Sequence, residues 1–152
     1  MKAYKFCIPV VGLAVIGLLL FHPASVRLVK ANTGCTASTI QATYAFAVDG
    51  LGASSRNATR IGAFIPVAAA GTFSFDGVGT VSRAFTFSFA GQITSGLADS
   101  GTYTVNSDCT GVALFSDVGE TFNLVIVSGN EIRFINATPG TVLAGSMTKQ
   151  RS

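Results

Sequence analysis

VSRAFTFSF, residues 81–89, reads in steps of two: Val81, Arg83, Phe85, Phe87 and Phe89 share one face, and Ser82, Ala84, Thr86 and Ser88 the other. Successive side chains of an extended chain point to opposite sides, so the stretch predicts a strand with an aromatic face and a small, polar one. An aromatic face must be covered. The text around it shows how: GTFSFDGVGTVSRAF (71–85) is nearly repeated as GTYTVNSDCTGVALF (101–115). Each phrase begins with glycine, alternates, turns at Asp or Ser-Asp, and restarts at Gly79 or Gly111. Both read as β-hairpins, either copies of one unit or hairpins alike in composition.

Period-two alternation recurs along the chain, and nothing sustains a 3.6-residue apolar period. Strands are predicted near 39–48, 60–69, 71–76, 79–90, 101–106, 111–116, 121–128, 131–136 and 141–148. Turn signals separate them, among them Asp49-Gly50, Asp76-Gly77, Ser107-Asp108, Ser128-Gly129-Asn130 and Thr138-Pro139-Gly140. The stretches 49–59 and 91–100, rich in Gly, Ser and Ala, read as surface loops. With no helix to cover a sheet face, the chain must close on itself or build a second sheet. Short sequential links predict an all-β fold, one antiparallel meander of 8–9 strands closed into an up-and-down β-barrel over residues 39–152. The alternative is a β-sandwich, which normally needs long Greek-key crossings.

The N-terminus belongs to export. MKAYK supplies two lysines, and Phe6–Phe21 is apolar, a charged region before a hydrophobic one too short to span a bilayer. Residues 1–31 read as a secretory signal peptide, with Val29-Lys30-Ala31 before a mature start at Asn32; an uncleaved anchor is the alternative. The expected location is therefore secreted or extracytoplasmic, with no stable membrane insertion after cleavage.

Removing the leader changes the charge. The whole chain carries a formal +3, but Lys2, Lys5, Arg27 and Lys30 lie before Asn32. The remainder holds six basic residues against seven acidic ones, near −1. Nucleic-acid binding needs a basic stripe to displace counterions, so that class of partner is excluded. Cys7 leaves with the leader, and Cys35 and Cys109 remain. In an oxidising compartment a single disulfide is the default, tethering a tail at 32–38 to the barrel, with two free thiols as the alternative.

Little catalytic chemistry is left. His22 is the chain's one histidine and lies in the leader, so Ser–His and Cys–His catalysis is excluded and no metal site or cofactor is expected. Asp49, Asp76, Asp108 and Asp117 fall at predicted turns, where aspartate caps its own backbone. Asp99 has no acidic neighbour in sequence, and Asp117 with Glu120 makes at most a weak cation site. Arg83 alternates with the aromatic row: either it reaches water from a rim position, or it anchors an anion at a barrel mouth. Arg133 falls out of step with Ile132 and Phe134 and should face solvent, and Tyr44 and Tyr103 could turn hydroxyls inward. Asn57-Ala58-Thr59 and Asn136-Ala137-Thr138 are glycosylation sequons only in a eukaryotic secretory route.

The leader, the strand count and the motifs GTYTVNSDCTG and EIRFINATPGTVLAG resemble a group of uncharacterised secreted bacterial proteins. At the level of architecture the chain is similar to calycins and to the allene oxide cyclase and dirigent-type barrels. That resemblance implies an eight-stranded barrel with an apolar cavity open at one end. The lipocalin Gly-x-Trp signature is absent, as the chain has no tryptophan, and no cyclase catalytic residue has a counterpart here. The expected function is binding of a small apolar ligand in the barrel by Arg83, Phe85, Phe87, Phe89 and Tyr103, without catalysis. The alternatives are a structural or surface-interaction domain with a filled core, and a cyclase- or dirigent-like enzyme.

Overall fold

A computed structural model describes residues 34–53 and 64–151. A short 3-10 helix, Ala37–Ile40, precedes eight strands: β1 (Ala42–Ala53), β2 (Phe64–Phe75), β3 (Thr80–Phe89), β4 (Gln92–Val105), β5 (Thr110–Phe115), β6 (Glu120–Ser128), β7 (Glu131–Asn136) and β8 (Thr141–Lys149). Each pairs antiparallel with the next, and β8 pairs with β1 from Tyr44↔Lys149 to Gly52↔Thr141, closing an up-and-down barrel. Closure leaves every strand with two neighbours, although β5 pairs only with Thr102–Val105 of the longer β4. The sandwich alternative does not form. The predicted leader, 1–31, lies outside the described residues, and no helix among them is long and apolar enough to cross a membrane.

Glycine-rich stretches depart from the sequence expectation. From Phe64 onward the predicted strands 60–69 and 71–76 are one strand, β2, that runs straight through Gly71, while residues 60–63 lie outside the described residues. Gly71 is opposite Phe85, and a Cβ there would strike the Ala84 carbonyl and stand 2.6 Å from the Phe85 Cα. The glycine marks a close approach inside a strand, not the start of one. The predicted loop 91–100 is the first half of β4. Its register slips against β3 between Phe85↔Leu97 and Phe87↔Thr94, with Gly96 at φ +71°. Two residues there oppose one, a β-bulge that bends the strand and accommodates small residues with no apolar alternation. The predicted loop 49–59 is likewise strand over residues 49–53, the last part of β1, with Asp49 exposed between Ala68 and Ala144 and not in a turn; residues 54–59 lie outside the described residues.

The repeated phrase is a repeated structure. In both copies the residue after the first strand, Asp76 or Asn106, donates its N–H to the carbonyl four residues on, Thr80 or Thr110 (3.1 and 2.8 Å). Thirty residues apart, Gly79 and Cys109 occupy the same place in the two turns, and both have positive φ, +133° and +66°. The cysteine thus stands where the other copy has glycine. It is bonded to Cys35 with Cα atoms 4.9 Å apart, within the usual disulfide range. The bond pins the 3-10 helix under one end of the barrel.

At that end Ile40 plugs the opening, packed with Tyr44, Phe75, Val81, Tyr103, Ile132 and Met147, all buried. Tyr44 donates from its hydroxyl to the Gly129 carbonyl (2.9 Å). The Tyr103 hydroxyl accepts from Gly77 N–H (2.9 Å) and donates to the Ala37 carbonyl (3.2 Å). Burial pushes both phenols above their ordinary pKa, and the Tyr103 charge adds to the shift at Tyr44. The mid-section is a lattice of rings around Phe73, which meets Phe46, Phe115 and Phe122 edge-on at 4.8, 5.9 and 5.9 Å. An eight-stranded barrel is just wide enough to be filled by side chains, and here they fill it from the disulfide end to the middle.

Candidate functional site

Filling stops towards the other end, where β1, β3, β5 and β7 finish. Phe85, Phe87 and Phe89 point inward from β3 but are only partly buried, and the Phe87 and Phe89 rings stack at 6.1 Å. Phe87 and Phe89 border a mouth cavity of about 210 Å3, which Val67, Glu120, Thr141 and Leu143 also line. Phe87, Glu120 and Leu143 are shared with a deeper void of about 40 Å3 beside Arg83, Phe85 and Phe122. Larger hollows of about 350 and 610 Å3 lie along β1–β4, the first lined mainly by outward-facing Ala, Ser and Thr and the second by residues that include Asp49, Leu51 and Pro66. They carry no converging free charge, and the interior cavity is the better candidate.

The floor of that cavity is ionic. Arg83 is 7% exposed and faces Asp99 across the β3–β4 ladder. Its Nε and Nη2 donate to the two Asp99 carboxylate oxygens at 2.6 and 2.7 Å, and Nη1 donates to Glu120 Oε2 at 2.6 Å. The guanidinium carbon lies 4.6 Å from the Phe85 ring centroid and 4.2 Å from that of Phe115. Forked carboxylate contact with stacking on aromatic faces is the geometry that makes arginine tolerable indoors. Burial draws the guanidinium pKa down, but the Asp99 hydrogen bonds and the Glu120 charge outweigh it and hold Arg83 above its usual value. No buried side-chain polar atom among the described residues lacks a partner.

The structure therefore sorts the sequence candidates. Phe87 and Phe89 line the mouth, and Phe85 and Arg83 its inner floor. Arg83 does not snorkel from a rim, and it is no free anchor for an anion, because two carboxylates already hold it. Tyr103 is corrected as a ligand residue: it lies on the far half of β4, buried in the plugged end with its hydroxyl engaged. Glu120 turns inward to Arg83 instead of outward with Asp117. Arg133 faces solvent as expected, paired with Glu131 at 2.7 Å. Asn136, in the second sequon, is buried and accepts from Thr138 N–H at 2.8 Å; the first sequon lies outside the described residues. Asp76 and Asp108 cap their own turns.

Asp99 and Glu120 are the residues that sequence reasoning missed. They are 16 and 37 positions from Arg83 and meet it only through register. A signal was present by elimination: an inward arginine needs an acid, and four of the seven acids after Ala31 already had turn roles.

Fold and site together define a closed eight-stranded antiparallel barrel, plugged and disulfide-tethered at one end, with an aromatic mouth over a buried ion cluster at the other. Comparison with protein-family models, curated proteins and solved structures returns no match. The disulfide itself points to an oxidising, extracytoplasmic environment.

Proposed function

We propose that the protein is a secreted barrel, calycin-like in architecture, that binds a small apolar molecule at its open mouth without catalysis. The observation that carries this reading is the mouth cavity of about 210 Å3, walled by Val67, Phe87, Phe89 and Leu143 and continuous in its lining with the void below. Ligand sites are concave, mostly apolar and provided with a few placed polar groups, and this one has that composition at the small end of the size range. A single ring or a short alkyl chain suits it.

The test is uptake of an uncharged, environment-sensitive naphthalene dye by the wild type and by Phe87→Ala. A cavity-lining ring gives altered dye uptake at modest stability cost. If the ring is wedged in a filled core, its loss costs about 3–5 kcal/mol and neither form binds dye. That result would leave a structural or interaction domain. This second reading draws on Val112, Leu114, Val125, Val127 and Ile135, exposed on the outer face of β5–β7. A cyclase- or dirigent-like enzyme would call on Glu120, the carboxylate that lines the cavity, and it is held by Arg83.

A further inference from the structure

Charge at the mouth is unbalanced in a directed way. Among the described residues, the charged side chains that line the cavity and the void are Arg83 and Glu120, and Asp99, outside both linings, is the second carboxylate on Arg83. The positive member is turned inward: three of its N–H groups are committed to the carboxylates, and rings of Phe85 and Phe115 stack on it. Both Asp99 oxygens are taken by Arg83, and the Asp99 side chain is 16% exposed. Glu120 differs. Its Oε2 accepts from Arg83, its Oε1 has no hydrogen-bond partner among the described residues, and its side chain is 34% exposed. It also lines both the mouth and the void.

The other polar groups at the mouth are engaged. Thr141 Oγ1 donates within its own turn, to the Thr138 carbonyl at 2.7 Å, and Thr138 Oγ1 accepts from Thr121 N–H at 3.0 Å. What the cavity offers a ligand is thus one anionic acceptor ringed by aromatic and aliphatic side chains. An anion meets repulsion there, and a neutral molecule leaves Glu120 Oε1 to water. An ammonium group donates a charge-assisted hydrogen bond to it and finds the Phe87 and Phe89 faces in the same cavity for cation–π contact.

We propose that the mouth selects a monocationic amphiphile, an organic amine on a short alkyl or single-ring body, with Glu120 as its counter-ion. This deepens the apolar-ligand reading and rests on it.

The experiment is calorimetric titration of the mature, disulfide-bonded protein near neutral pH with three probes sharing one body: phenylpropylamine, phenylpropanol and phenylpropanoate. The amine should bind about tenfold or more tighter than the alcohol, the scale of a hydrogen bond to a charged group, and the carboxylate weakest. Glu120→Gln, which keeps an oxygen for Arg83, should bring the ratio of amine to alcohol close to one. Equal binding of amine and alcohol by the wild type overturns the cation selectivity and leaves the apolar reading standing. An amine preference that survives E120Q overturns the role of Glu120. Failure of all three probes to bind removes both. The ranking on the wild type alone decides the selectivity if E120Q does not fold.

Discussion

The two ends of the barrel are made of the same kind of hairpin and finish in different states. At the plugged end Ile40, Tyr44, Phe75 and Tyr103 are buried, two phenol hydroxyls tie separate hairpins together, and the disulfide holds the chain's entry against the Cys109 turn. At the mouth, rings of the same type on β3 remain partly exposed around a cavity. The difference lies in what supplies the lid. The plugged end is given a covalently tethered apolar segment, whereas the mouth is given an ion cluster as a floor, which must keep its polar partners and so cannot collapse into close packing.

The largest expected effect tests whether packing really differs. Phe73→Ala, in the ring lattice, should cost about 3–5 kcal/mol in urea denaturation. Phe87→Ala at the mouth should cost about 1–2 kcal/mol, the transfer value of a half-buried ring. Equal costs would erase the contrast. Next comes the tether. Reduction of Cys35–Cys109 should lower stability by about 2–4 kcal/mol and raise amide exchange of Ile126, whose N–H donates to the Cys109 carbonyl, before that of Ala90 at the mouth. Cys109→Gly should cost less than Cys35→Ser by about 1 kcal/mol, because glycine suits a φ of +66°.

A smaller change should strengthen the mouth. Ala90 and Gly91, at φ +52° and +82°, form the two-residue turn between β3 and β4, where Asn-Gly is the favoured pair. Ala90→Asn should raise stability by at most about 1 kcal/mol in thermal melts. The smallest effect is a pH dependence at the plugged end. Asp76 accepts from the N–H groups of Val78, Gly79 and Thr80, and these, Val78 foremost, hold its carboxyl at about 2 against an ordinary 3.8. Its stabilising contribution is therefore complete above about pH 4 and is lost as pH falls towards 2, since the unfolded chain takes up the proton first. Asp76→Asn should flatten the acid limb of a stability profile; an unchanged limb would remove Asp76 as its source.

Strand parity, turn chemistry and link length are local properties, and they were enough to lay out the antiparallel meander, to favour its closure as a barrel over a sandwich and to mark the two similar hairpins. They also put Arg83 and the β3 phenylalanines on the inner face. Gly71 and the stretch 91–100 misled because glycine signals a turn and a close approach with the same letter; the neighbouring strand decides which. Register and barrel height were decided by tertiary structure alone. Parity says which face Tyr103 shares with Phe87 but not that they lie at opposite ends, and it is silent on an acid 37 residues away meeting Arg83 across the interior. Distances along the axis accumulate over all eight strand pairings, including the bulge between β3 and β4, so no local stretch contains them.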